Sequence, residues 1–138
     1  MARARLISRA RMRWYLADTP LIRRGTIRID GFRSLYAGRH PGGTAITRPL
    51  IFTGNRLEIN AQTGANGGIT IGLLDAETLK PIEQFEQSTE FYGDQIQHGI
   101  HFGKRRDVSP LAGRSVRLKI TMYNANLYSL KFSSKEVD

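Results

Sequence analysis

Two runs of alternating side chains near the C-terminus constrain the fold of this chain more than any other feature. In the first run, residues 116–123, every second residue is apolar: Val116, Leu118, Ile120 and Met122. The second run, residues 127–132, repeats the pattern with Tyr128, Leu130 and Phe132. A period of two is typical of a strand with one buried and one solvent-facing side. Asn-Ala-Asn lies between the runs and asparagine tolerates the left-handed backbone of a tight turn, so the sequence predicts an antiparallel hairpin.

Shorter extended segments separated by turn residues fill the rest of the chain. Turn residues recur about every 8–12 residues, no long helix is indicated, and one helical turn is expected after Ser109. Residues 62–68, QTGANGG, are predicted to form a flexible turn between two strands, 56–60 and 69–73. We therefore expect an all-β fold: an antiparallel β-sandwich of jelly-roll type with eight to nine short strands.

The positive charge of the chain is concentrated at its N-terminus. The net charge is +9, and residues 1–28 account for +7 of it with eight arginines and one aspartate. We therefore divide the chain into a basic leader or arm, residues 1–25, and a β-sandwich domain, residues 26–138. A basic arm can hold phosphates by counterion release, but no DNA- or RNA-binding motif accompanies it, so nucleic acid is the least favoured partner.

Composition excludes several classes of protein. The sequence has no cysteine, so disulfides and thiol catalysis are excluded, although this does not fix the compartment. No apolar run approaches the ~20 residues of a membrane helix, so no membrane partner is predicted. The N-terminus lacks the apolar block of ~7–15 residues that a secretory signal needs. Localisation is therefore left open by the residues themselves.

Six short segments, taken in order, carry a resemblance to a known family: residues 28–35 (RIDGFRSL), 47–50 (TRPL), 54–60 (GNRLEIN), 68–75 (GITIGLLD), 93–94 (GD) and 111–132 (LAGRSVRLKITMYNANLYSLKF). Together they resemble the C-terminal β-sandwich of bacterial glycoside-hydrolase-like proteins, which follows a five-bladed propeller of the invertase, levanase and sialidase type. The chain departs from that pattern at Phe102, where such domains usually carry tryptophan, and in the basic loop 104–106.

The resemblance implies an accessory domain without catalysis of its own, because the family's acidic catalytic residues lie in a propeller that this chain lacks. It also implies a secreted or periplasmic parent protein. We therefore predict a non-catalytic module of a carbohydrate-active enzyme that packs against a catalytic domain and binds carbohydrate weakly. The alternative is a self-associating structural sandwich, in which the basic arm pairs with the sheet of a neighbouring subunit to build a homo-oligomer.

Carbohydrate recognition requires exposed aromatic rings beside amides, carboxylates or guanidinium groups. Tyr123 and Arg117 are predicted to share the polar face of one strand, and Gln95, Gln97 and His101 form a similar polar row on another. If the two strands were neighbours, these residues would make one sugar-binding face, with Tyr92 at its rim. His98 is predicted instead to be a hydrogen-bonded core histidine.

Catalytic and metal sites receive little support from the residues. Hydrolysis of a glycoside needs two carboxyls about 5–9.5 Å apart. The sequence does not indicate any two acidic residues that would face each other at this distance. Three isolated histidines lack the spacing of a zinc site. Sandwich domains can hold calcium through loop carboxylates, and Asp75, Asp94 and Asp107 are the candidate ligands. No other cofactor is predicted.

Overall fold

The computed structural model describes residues 2–7 and 22–136, and the chain divides into two compact units, residues 1–32 and 33–138. In the first unit, strand β1 (Ala2–Ile7) pairs antiparallel with strand β2 (Ile22–Ile27) as a two-stranded sheet. Residues 8–21, the middle of the predicted arm, lie outside the described residues.

The second unit is a five-stranded antiparallel sheet, which is curled. Its strands run in the order β3-β7-β5-β6, and β4 also pairs with β7. One 3₁₀ turn, Ser109–Leu111, precedes the last strand, and the described residues contain neither an α-helix nor any helix able to span a membrane. The prediction of an all-β fold is confirmed. The strands are β3 (Leu35–Ala37), β4 (Gly43–Ile46), β5 (Arg56–Asp75), β6 (Asp94–Gly99) and β7 (Val116–Ser133).

The predicted hairpin is wrong, because its two runs belong to one long strand. Strand β7 continues through residues 124–126, and β5 continues through the predicted turn 62–68. The strands pair along most of their length, but the register jumps between Thr63 and Gly68, so residues 64–67 bulge out opposite Asn124. Asn124 has a φ of 45°, the left-handed backbone that the sequence predicted, but it serves a β-bulge and not a chain reversal.

Because two strands continue through predicted turns, the strand number is also smaller than expected. Seven strands occur in the described residues, five of them in the large sheet, where eight to nine short strands were predicted. A two-layer jelly roll is therefore not established by the strand pairing.

The bulge divides β5 and β7 into halves with different neighbours. The first half of β5 pairs with β6, and β3 flanks the second half of β7. The second half of β5 is bordered by residues 81–91, with backbone hydrogen bonds from the Leu73 amide to the Phe85 carbonyl (2.8 Å) and from the Ile69 amide to the Phe91 carbonyl (2.9 Å). Residues 81–91 are thus held against the sheet by their backbone.

One side of the curled sheet carries the hydrophobic core. Alternating residues of β5 and of β7 up to Met122 supply most of it, as the period of two predicted, and the loops add Phe85, Phe91, Phe102, Val108 and Leu111. In the second run the prediction is wrong for Tyr128: Leu127 is buried in its place, because the register shifts where Ser129 pairs with Asn60 and Leu127 with Ala61. The opposite side of the sheet is not exposed to solvent along its whole length. Glu58 and Asn60 alternate with the core residues Leu57, Ile59 and Ala61 along β5, yet only 2% and 3% of their surfaces are exposed. The strand contributions to the core are Leu57, Ile59, Ala61, Ile69, Ile71, Leu73, Val116, Leu118, Ile120, Met122, Ala125 and Leu127.

We predict that Gly72→Ala destabilises the protein by about 1–3 kcal/mol, because a Cβ at this position of β5 would collide with the backbone carbonyl oxygen of Glu86. Urea unfolding measures the effect. The matched control is Gly99→Ala in β6, where a Cβ would meet nothing within 4 Å. An equal midpoint for both variants would contradict the close packing of residues 81–91 on β5.

Candidate functional site

A cleft on the five-stranded sheet, which we call the tyrosine cleft, has a volume of about 580 Å³ and is open to solvent. The bulge residues 64–67 form one wall of it. Tyr92, Glu90 and Tyr123 supply the side chains of the other walls, with Thr63 and Gly93 between them. The ring of Tyr92 stands at the rim with 74% of its surface exposed.

The bulge is fixed from both sides of the cleft. Asn124 Nδ2 donates a hydrogen bond to the Ala65 carbonyl (2.9 Å), which ties the bulge back to β7. The Gly93 amide donates to Thr63 Oγ1 (2.9 Å), and the Thr63 amide donates to the Gly93 carbonyl (2.8 Å). These three hydrogen bonds hold the bulge against β7 and Gly93 against Thr63, on the two sides of the cleft.

Glycine at position 68 allows the two polar side chains of the cleft to meet. A Cβ there would lie 2.6 Å from the Glu90 carboxyl carbon and 2.9 Å from Tyr123 Oη. In its absence, Tyr123 Oη donates a hydrogen bond to Glu90 Oε1 (2.8 Å). This hydrogen bond, with desolvation and the negative charge of Glu90, raises the pKa of Tyr123, so the phenol stays protonated.

The structure separates the two polar rows that the sequence placed on one hypothetical face. Strand β5 lies between β7, which carries Tyr123, and β6, which carries Gln95 and Gln97. Of the predicted sugar-binding residues, Tyr92 and Tyr123 come together in the tyrosine cleft, and His101 lines a different cleft. The two strands are therefore not neighbours, and the predicted residues other than Arg117 fall into two groups.

Arg117 belongs to neither group. It lies six residues before Tyr123 on β7, and its Nε donates a hydrogen bond to the Ala76 carbonyl (3.0 Å). Its Nη1 donates a longer one to the Thr47 carbonyl (3.3 Å). The guanidinium thus links the end of β5 to the segment that follows β4, which is a structural role.

The second group surrounds a buried carboxylate, Glu58, which we call the Glu58 cluster with Gln97, Lys131 and Lys135. Gln97 Nε2 donates to Glu58 Oε2 (3.0 Å), and Lys131 Nζ lies 3.5 Å from the same oxygen. Lys135 Nζ forms an ion pair with Glu58 Oε1. Burial alone would raise the pKa of Glu58, but the hydrogen bonds of Lys135 and Gln97 and the two positive charges outweigh it and lower the pKa to about 2.

Two histidines and an arginine adjoin this cluster. His98 was predicted to be a hydrogen-bonded core residue, and its half-buried ring packs 4.6 Å from that of Phe91 and bonds to Gln95 Oε1 through Nδ1 (2.9 Å). His101 was expected on the opposite side of the strand, yet the two rings are 5.9 Å apart. Arg106 Nε donates to His101 Nδ1 (2.9 Å). Desolvation, followed by the nearby positive charge of Arg106, lowers the pKa of His101.

The three predicted calcium ligands lie apart in the structure. Asp75 caps the turn after β5 with hydrogen bonds from the Glu77 and Thr78 amides (both 3.0 Å) and pairs with Arg114 (2.8 Å), which lowers its pKa. Asp107 accepts from the Ser109 amide (2.8 Å), and Asp94 begins β6. No group of three or more acidic, histidine or cysteine side chains placed to hold a metal occurs in the described part of the chain.

Sequence reasoning missed Glu90 and Glu58 as site residues. Glu90 is 33 residues from Tyr123, and Lys135 is 77 residues from Glu58, so no local spacing connects the partners. The one available signal was the glycine-rich segment 62–68, because a bulge and a turn both favour glycine and asparagine. It was assigned to a turn, and the cleft wall that it builds was not foreseen.

No protein-family model, curated protein or solved structure matches this chain.

We predict that Glu58→Gln lowers the free energy of unfolding by about 2 kcal/mol at pH 7, because it removes a buried charge held by two lysines. The folded-state pKa lies below the ordinary value of 4.5, so the contribution of Glu58 is complete above about pH 5 and is lost as the pH falls toward 2. The difference between wild type and variant should therefore narrow between pH 5 and pH 3 in urea unfolding.

Glu83→Gln is the matched control, since Glu83 is exposed and has no ion pair within the described residues. The lowered pKa of Asp75 affects wild type and both variants alike and cancels in the differences. A wild-type-to-Glu58→Gln difference that stays constant from pH 7 to pH 3 would show that the carboxylate charge contributes nothing to stability.

Proposed function

We propose that this chain is a non-catalytic accessory module of a carbohydrate-active enzyme and that it binds carbohydrate in the tyrosine cleft. The observation that carries the proposal is the combination of an exposed ring, Tyr92, with the hydrogen-bonded pair Tyr123 and Glu90 in one open cleft. An aromatic ring can cover the apolar face of a pyranose, and a phenol and a carboxylate can bond to its hydroxyls.

The size and the charges of the cleft support binding in preference to hydrolysis. A volume of about 580 Å³ falls within the usual ~300–1,000 Å³ of small-molecule sites and accommodates one or two sugar rings. Hydrolysis would require a second carboxyl about 5–9.5 Å from the first. Among the described residues that line the cleft, Glu90 is the single carboxylate, and its Oε1 is engaged by Tyr123.

The link to an enzyme rests on the resemblance of the ordered segments between residues 28 and 132 to sandwich domains that follow glycosidase propellers. We propose the jelly-roll sandwich on the same basis. The division of β5 and β7 into halves with different neighbours supports it, because strands that pass from one layer to the other through a bulge are a usual way to make the corners of such folds.

The tyrosine cleft makes a direct prediction about sugar binding. Tyr92→Ala removes the exposed ring and should weaken binding of a retained polysaccharide by about 5–10-fold, equivalent to about 1–1.4 kcal/mol. Affinity electrophoresis through gels that contain neutral polysaccharides measures the retardation, and the best ligand is then titrated.

Tyr36→Ala is the matched control, because Tyr36 on β3 is also well exposed (66%) but does not line the cleft. Tyr123→Phe, which keeps the ring and removes the hydrogen bond to Glu90, should weaken binding less than Tyr92→Ala. The proposal fails if no polysaccharide retards the wild type, or if Tyr36→Ala and Tyr92→Ala weaken binding equally.

Self-association is the second candidate function, and one observation favours it. Strands β1 and β2 form a sheet of only two strands, with both outer edges unpaired within the described residues. An isolated ribbon of this kind is marginally stable in water, and unpaired edges favour pairing with another chain. Light scattering on the full chain at increasing concentration tests self-association. A mass above that of one chain supports it, and the mass of a single chain at every concentration excludes it.

A further inference from the structure

A second cleft, which we call the histidine–arginine cleft, lies on the β6 side of the sheet and is distinct from the tyrosine cleft. Its volume is about 210 Å³, and its polar side chains are those of Arg56, Glu58, His98, His101, Arg106 and Lys135. That volume is below the ~300 Å³ at which sites for whole small molecules begin, so the cleft suits a single small chemical group.

The carboxylate of Glu58 does not make this cleft acidic. Both of its oxygens are occupied, Oε1 by Lys135 and Oε2 by Lys131 and Gln97. Two ammonium groups therefore outweigh one carboxylate by one positive charge. The remaining charged side chains of the lining are Arg56 and Arg106, and neither has a carboxylate partner in the described part of the chain.

Burial is the main cause that lowers the pKa of both histidines, and the neighbouring positive charges act in the same direction. After desolvation, Arg106 and Arg56 are the next causes that lower the pKa of His101, and His101 and Arg106 do the same for His98. Both rings are therefore neutral at pH 7. Since Arg106 Nε donates to His101 Nδ1, the proton of the neutral His101 ring resides on Nε2, which makes that nitrogen a hydrogen-bond donor.

We propose that the histidine–arginine cleft binds a small oxyanion group, a sulfate, phosphate or carboxylate, between Arg56, Arg106 and the Nε2–H of His101. Guanidinium groups bind such anions through paired, charge-assisted hydrogen bonds, and two of them without acidic partners leave that capacity unused. The group can be a free inorganic anion or the acidic substituent of a sugar. This site does not depend on the tyrosine cleft, because the two linings have no residue in common.

The test is a titration of the full-length, ¹⁵N-labelled protein with sodium sulfate at pH 7, with sodium chloride adjusted to hold the ionic strength constant. Long-range ¹H–¹⁵N spectra resolve the three histidine rings. We expect saturable shifts at His98 and His101 and none at His40, which precedes Pro41 in the loop between β3 and β4 and does not line the cleft.

Arg56→Gln and Arg106→Gln should each weaken sulfate binding by about tenfold or more. Lys104→Gln removes one positive charge from the same loop as Arg106 but outside the cleft, and it should bind as the wild type does. Tyr92→Ala should also leave sulfate binding unchanged, which separates a failure of this site from a failure of sugar binding.

A sulfated oligosaccharide and its unsulfated counterpart distinguish the two sources of the anion. Sulfated sugar that binds at least tenfold more tightly than inorganic sulfate identifies a sugar substituent, and equal affinities identify the free ion. The proposal is overturned if the wild-type shifts do not saturate up to about 50 mM sulfate at constant ionic strength, or if Lys104→Gln weakens binding as much as Arg106→Gln.

Discussion

The pairing of β5 with β7 is the constraint on which the rest of the five-stranded sheet depends. Sixteen residue pairs join the two strands, interrupted where residues 64–67 lie opposite Asn124. Each half of this ladder has its own flanking strand, so the position of the bulge decides which neighbours each half receives. The same ladder places Tyr123 beside the bulge at one point and Lys131 opposite Glu58 at another. Both clefts are therefore consequences of one strand pairing.

The two clefts differ in the physical means by which they could hold a ligand. The tyrosine cleft is wide, has one carboxylate and exposes an aromatic ring, which suits a neutral, hydroxylated molecule. The histidine–arginine cleft is small and surrounds a carboxylate that is already neutralised, which leaves two guanidinium groups without acidic partners in the described residues. A buried ion pair of this kind is weak evidence for stability. Its clearest effect here is that the two lysines neutralise Glu58, so the cleft keeps the positive charge of its arginines.

The sequence predicted the strands better than the connections between them. The alternation in residues 116–122 and 69–73 correctly identified core side chains, because burial on one side of a sheet imposes a period of two. Asn124 and the glycines of 64–67 were read as turns, because a bulge and a turn need the same left-handed or Cβ-free backbone. In the tyrosine cleft, Tyr123 was identifiable from its place on the polar side of a strand, and Tyr92 from its place beside the Gly93-Asp94 turn. Glu58 and Glu90 were not, because their partners come from distant parts of the chain.

Both clefts depend on the continuity of β7, and cross-strand nuclear Overhauser effects test that continuity most directly. A continuous strand predicts backbone contacts from Ile59 to Leu130 and from Ile71 to Ile120, on both sides of the bulge. The hairpin that the local sequence suggests would instead bring residues 120–123 against residues 127–130. Observation of the first set without the second supports the account. Observation of the second set would contradict the pairing of β5 with β7 and, with it, the existence of both clefts.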